Sequence, residues 1–207
     1  MDLSRPYAAV SPTLDGDVLN TLAGTTRPLT GRQVAKLARK GTPPGVQRAL
    51  HRLVGHGLVH AVEAGRAILY TLNREHVASP AIEILADLRS ELVRRLRNHI
   101  ASWRRQPANA TLFGSAARGD GDVESDIDVF LVRPQGTGDE EPEWREKVEE
   151  LVTSIREWTG NHAALIEVSI DDVDRLQQQD AAIVGELEAD GVVLAGLSVK
   201  EILRGLP

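Results

Sequence analysis

The stretch that most constrains this chain is 111–131, TLFGSAARGDGDVESDIDVFL. An apolar run ends at Gly114-Ser115, and Arg118-Gly119 follow. Two carboxylates, Asp126 and Asp128, then sit two residues apart at the head of a second apolar run. Val129, Phe130, Leu131 and Val132 continue what Ile127 begins, so 126–133 reads as a buried strand. Residues i and i+2 of a strand share a face. Asp126 and Asp128 therefore project together, while Ile127 and Val129 face a core. Carboxylates held this close repel, and the pair persists when a cation neutralises it or when one acid stays protonated. Hard cations with oxygen ligands suit such a pair. A small, donor-rich turn beside it can approach phosphates. That order of parts is what phosphoryl-transfer chemistry on a nucleoside triphosphate needs.

The segment Gly114-Ser115-Ala116-Ala117-Arg118-Gly119, followed by Ser125-Asp126-Ile127-Asp128, resembles the signature of the polymerase-beta-like nucleotidyltransferase superfamily. The resemblance is to its small bacterial and archaeal branch of minimal nucleotidyltransferases, and it covers 108–207. The parts agree in order, spacing and flanking strands, and no Gly-Lys-Ser/Thr follows as in a Walker loop. The resemblance implies a nucleotide site made by Gly114, Ser115, Arg118 and Ser125, with the triphosphate at the start of a short helix. Arg118 either touches a phosphate or pairs with an acid in the loop 120–124. Asp126 and Asp128 would carry Mg²⁺ or Mn²⁺.

The family usually has a third carboxylate on a later, neighbouring strand. Glu167, in 163–170 (AALIEVSI), is the candidate for that metal-binding and catalytic place, although Asp is frequent there in relatives. The other reading is an edge-strand Glu facing water. Asp171 and Asp172 fall where a helix N-cap is expected. The activity implied is transfer of a nucleoside monophosphate from an NTP to an acceptor hydroxyl, on a protein, an RNA 3′ end or a small molecule such as an aminoglycoside. Relatives often act in toxin–antitoxin pairs with a helical partner protein encoded alongside.

The net charge of −6 hides an asymmetry. Residues 1–107 hold 16 Lys+Arg against 8 Asp+Glu, whereas 108–207 hold 8 against 22. A basic half joined to an acidic half suggests two domains with different partners, and the basic half suits nucleic acid. Its apolar spacing predicts helices near 14–24, after Thr30 with Val34, Leu37 and Ala38 as the stripe, and over 43–56. Strands over 58–63 and 67–72 flank Ala64-Gly65-Arg66 as a β-hairpin. Three helices and a hairpin in this order resemble bacterial winged helix-turn-helix DNA-binding domains. That resemblance implies a third helix in a major groove, with Gln47, Arg48, His51 and Arg52 facing DNA and Arg66 at the wing tip. The alternative is a solvated basic face used for protein contacts. His51, His56 and His60 lack a metal-ligand arrangement.

Ser79 as N-cap and Pro80 at the first helical position open a helix over 80–104, with Leu85, Leu88, Leu92, Leu96, Ile100 and Trp103 at helical spacing. It packs on the catalytic half or pairs with its twin in a homodimer. Its arginines, 94, 95, 97, 104 and 105, read as a solvated face or as an extended phosphate contact. Beyond the acid pair, a loop over 134–142 precedes a helix over 142–158 and the strand holding Glu167. Helices near 171–178 and 180–188, a short strand at 190–196 and a last helix at 198–204 follow, and His162 reads as structural. The expectation is an α+β chain of two domains. A winged helix spans 1–78, a long linker helix 79–107, and an α/β nucleotidyltransferase fold with a small mixed sheet 108–207. The chain has no cysteine, which excludes disulfides, thiolate metal sites and thiol nucleophiles. With no membrane-length apolar stretch and no signal-peptide pattern at the N-terminus, the expectation is a soluble, cytoplasmic protein.

Overall fold

The computed structural model describes residues 1–38, 41–173, 175 and 181–204. The chain divides into two units, one of Asp2 with Ser4–Leu88 and one of Met1 and Leu3 with Arg89–Pro207.

In the first unit, α1 (Leu14–Ala23) is followed by a two-residue strand β1 (Leu29–Thr30) and α2 (Gly31–Leu37). Thr30 starts α2 with a capping box: its Oγ1 accepts from Gln33 N–H while Gln33 Oε1 accepts from Thr30 N–H. Thr42 caps α3 (Pro43–Gly55) through Gly45 N–H, with Pro43 preset for the first helical turn. Strands β2 (Val59–Ala64) and β3 (Ala67–Leu72) pair antiparallel down to Ala64 opposite Ala67. That leaves a two-residue loop, and Gly65 takes φ 61 at its first position, as a type II′ turn requires. β1 joins on the other edge of β3, so the sheet runs β1-β3-β2. Val18, Leu22, Val34, Val46 and Leu50 are fully or almost fully buried, and Tyr70 and Leu72 of β3 close the core over them. Of the expected stripe Val34 and Ala38 are buried, whereas Leu37 departs from it at 58% exposed.

The single helix expected over 80–104 is two. α4 (Ser79–Ala86) stops at Asp87, whose N–H returns to the Glu83 and Ile84 carbonyls, and α5 (Leu88–Ala101) follows. The apolar stripe is continuous in sequence, but Ile82, Leu85 and Ala86 pack in the first unit's core, while Leu92, Leu96 and Ile100 pack in the second's. Ser79 is not the cap either. It lies inside α4, and its buried hydroxyl makes no hydrogen bond to the described residues.

The second unit continues with β4 (Asn109–Phe113), α6 (Gly114–Arg118), β5 (Ile127–Arg133), α7 (Pro142–Thr159) and β6 (Ala163–Ser169). A 3-10 turn (Ile170–Asp172) lies at the start of the expected helix near 171–178, half of which falls outside the described residues. Then come α8 (Ala181–Asp190), β7 (Val192–Gly196) and α9 (Val199–Leu203). The sheet order is β6-β5-β4-β7, with β5–β6 parallel and the other two pairs antiparallel. On one face Leu112, Val129 and Leu131 meet Leu92, Leu96 and Ile100 of α5 and Leu151 and Ile155 of α7. On the other Phe113, Phe130 and Val132 meet Leu187 of α8 and Val199 and Ile202 of α9. β5 is thus covered on both faces, which is why its sequence is an unbroken apolar run after Asp128.

Phe130 has no exposed surface. Phe130→Ala is expected to destabilise the second unit by about 3–5 kcal/mol, read as a shift of the urea midpoint.

Candidate functional site

β4 runs into α6 at the point where β5 begins, and the antiparallel register sets Phe113 opposite Asp128. Gly114 follows with φ 64, a region that favours glycine. A Cβ at this position would also run into the Asp128 carboxylate. Gly114 thus lets the turn close flush against the acid. α6 ends at Gly119, φ 76, and the N–H groups of Gly119, Asp120 and Gly121 converge on the Ser115 carbonyl at 2.9, 3.1 and 3.3 Å. A Cβ on Gly121 would lie 2.8 Å from Ser115 Oγ and 3.5 Å from Ser125 Cβ, so the two serines flank that glycine. Gly114, Ser115, Ser125 and Asp128 are therefore brought together.

The loop before the acids is tied at both ends. Asp122 Oδ1 accepts from Glu124 N–H (3.0 Å) and from Ser125 Oγ (2.9 Å). These bonds, the Ser125 hydroxyl first, hold the Asp122 carboxyl below the usual range. Asn161, 3% exposed, donates its Nδ2 to the Asp122 carbonyl (3.0 Å) and the Ser125 carbonyl (2.8 Å). The Ile127 N–H donates to the His162 carbonyl at 2.8 Å. Residues 161–162 thus frame the entry to β5. The sequence carried no signal for this: Asn161 follows the glycine that ends α7, and its burial and its partners come from tertiary packing.

Asp126 is exposed and Asp128 half-buried. Burial pushes the Asp128 carboxyl above its usual range; repulsion from Asp126 and Glu186 adds to this, and Arg118 opposes it. Glu186, on α8, was not anticipated as part of this electrostatic field. Arg118 pairs with Asp120 (3.3 Å), the acid-pairing alternative, and also approaches Asp190 of α8 at 3.7 Å.

Glu167 is not brought to the pair. The parallel register places Ala164 beside Asp128 and Glu167 beside Leu131, so Glu167 lies three residues further along and on the opposite face of the sheet. There it accepts from Arg133 (2.5 Å) and from Trp144 Nε1 (2.9 Å), which satisfies a carboxylate that is 25% exposed. Among the described residues no group of three or more His, Asp or Glu is arranged to hold a metal ion. The donor set that remains is two carboxylates, one of them destabilised as an anion by burial and by its neighbour. That set fits a hard cation that takes one or two carboxylates and completes its shell with water and substrate phosphates, as Mg²⁺ does.

In the first unit Gln47, Arg48, His51 and Arg52 are all exposed on α3, and Arg66 sits in the hairpin turn. Gln47 donates to the Tyr70 hydroxyl (3.0 Å), and Arg52 is paired with Asp15 (2.6 Å). A concavity of about 600 Å³ lies between α2, α3 and β3, lined by Gln47, Arg66 and Tyr70 together with Arg32, a cation not singled out from sequence.

Because its folded pKa is raised, Asp128 favours the folded state most when protonated and opposes it as pH rises through that pKa. Asp128→Asn is therefore expected to raise the melting temperature at neutral pH. The gain should shrink as pH falls through the raised folded pKa toward the usual carboxylate range; a melting scan from pH 7 to pH 4 checks both.

No curated protein matches the chain. Among solved structures, human N-acetylserotonin methyltransferase in complex with SAM matches at 19% identity over 43% of this chain and 28% of that one. Its TM-score of 0.27 carries no argument about fold. Among the described residues no helix is long and apolar enough to cross a membrane. Residues 93–184, from within α5 to within α8, match the family model described as "Nucleotidyltransferase domain", and the Gly-Ser turn, Arg118, Ser125 and both paired acids fall inside that match.

Proposed function

We propose that 108–207 form a metal-dependent nucleotidyltransferase that moves a nucleoside monophosphate from an NTP to an acceptor hydroxyl. The observation that carries this is the fit of Gly114 against Asp128. It sets a glycine turn beside two carboxylates that form no salt bridge among the described residues, with Arg118 only partly offsetting the charge on Asp128. Ser115 and Ser125 supply hydroxyls at the mouth of that turn, and Arg118, partly exposed, is available to a phosphate once it leaves Asp120. Asp126 and Asp128 would hold Mg²⁺ or Mn²⁺, which when bound neutralises the triphosphate and the departing charge. The acceptor oxygen attacks the α-phosphorus in line as the bond to the bridging oxygen of pyrophosphate breaks; pyrophosphate leaves with that electron pair, and the hydroxyl proton passes to solvent.

The first unit is proposed to be a winged helix that places α3 in a major groove of DNA, with the β2–β3 turn on the backbone. Exposure of Arg48 and His51 and the flanking Arg66 support this. A second reading is favoured by one observation: the candidate third carboxylate, Glu167, serves Arg133 and Trp144. On that reading the site holds nucleotide with little or no turnover, and the chain is a nucleotide-sensing DNA-binding regulator.

Incubation with Mg²⁺, each α-labelled NTP and a cell lysate separates the two. The enzyme reading expects label on a protein, RNA or small molecule with wild type and none with Asp126→Ala/Asp128→Ala. Metal-dependent nucleotide binding that shifts DNA affinity, without transfer, selects the regulator. For the first unit, Arg48→Ala/Arg52→Ala is expected to weaken DNA binding and to reduce the slope of log affinity against log salt by roughly two. An unchanged slope contradicts the docking of α3.

A further inference from the structure

The turn that carries Gly114 and Ser115 is held at its far end by a side chain outside the family match. Arg89, at the start of α5, donates its Nε to the Ala116 carbonyl (3.3 Å) and a terminal NH₂ to the Ala117 carbonyl. The last carbonyls of a helix have no partner within it, and α6 has only five residues. A guanidinium on two successive carbonyls therefore satisfies a large share of that end, and its charge suits the negative end of the helix. The stem of Arg89 passes over Gly119, where a Cβ would lie 3.1 Å from Arg89 Cδ. Gly119 is thus constrained twice, by φ 76 and by the arginine above it.

The other end of the turn is fixed by Gly114 against Asp128, and its interior by three N–H groups on the Ser115 carbonyl. Arg89 adds a third restraint, on the Ala116 and Ala117 carbonyls. The geometry needs a fork: two nitrogens of one planar group reach two carbonyls, which a lysine ammonium cannot reproduce from one point. Arg89 is only half-buried, so its replacement removes the clasp without opening a core.

We propose that Arg89 is a positioning residue, which holds the 114–121 turn in its triphosphate-binding shape before nucleotide arrives. This rests on the nucleotide-site reading above. Inorganic tripolyphosphate with Mg²⁺ is the probe, because it needs no knowledge of the base. Its affinity is measured by calorimetry on the full chain for wild type, Arg89→Gln and Arg89→Lys, with amide hydrogen exchange over 114–121 followed without ligand. Both variants are expected to exchange faster there and to bind tripolyphosphate about tenfold more weakly, the size of one lost charge-assisted hydrogen bond. Full recovery of affinity in Arg89→Lys overturns the proposal, since charge alone would then suffice. Unchanged affinity in both variants also overturns it, whether or not exchange quickens, and leaves the nucleotide reading standing. A wild-type chain that binds no tripolyphosphate removes that reading, and this proposal with it.

Discussion

The close approach of Gly114 to Asp128 is the contact on which the second unit's geometry depends. It requires β4 and β5 in one antiparallel register, Phe113 opposite Asp128. It requires a residue without Cβ that accepts positive φ directly after β4. It also places a carboxylate where burial and Asp126 both oppose its charge. An arrangement that disfavours a group's charged form costs stability at neutral pH, and groups perturbed in this way cluster at functional sites. The surrounding bonds serve the same register. Asn161 ties the loop before the acids, and Ser115 gathers the turn behind the glycine.

How much of this was legible follows from what strand and helix periodicity can encode. The Gly-Ser turn and the apolar run after the acids are local, and the turn does follow β4 and the run does form β5; the strand expected over 126–133 starts one residue later, at Ile127, and leaves Asp126 exposed just ahead of it. The α2 capping box, the glycine at the hairpin turn and the helix ended by Gly160 are equally local. Glu167 shows the limit. Alternation along β6 says that Glu167 shares a face with Leu165, but not which face of the sheet that is. The parallel register with β5 decides it by parity, putting Ala164 beside Asp128 and Glu167 across from it. Arg89, Asn161 and Glu186 reach the site through tertiary packing from distant segments, and no pattern within their own segments marks them.

The stripe over 80–104 fails for a related reason. Its apolar positions keep helical phase throughout, so nothing in the spacing announces a stop at Asp87. The two ends belong to different cores, and a hydrophobic pattern records burial without recording what covers it. In the first unit the charge balance survives in detail: Arg48, His51 and Arg66 remain exposed, while Arg52 is drawn to Asp15 and is a weaker point of positive charge than its position suggested.

A crystal structure of the chain with Mg²⁺ and a triphosphate non-hydrolysable between the α- and β-phosphates tests the central claim most directly. The account predicts one or two ions at about 2.0–2.1 Å from carboxylate oxygens of Asp126 and Asp128. It also predicts triphosphate oxygens against the 114–121 turn, with Glu167 still bonded to Arg133 and Trp144. Nucleotide bound elsewhere, or an ion ligated by Glu167 after a change of register between β5 and β6, would contradict it.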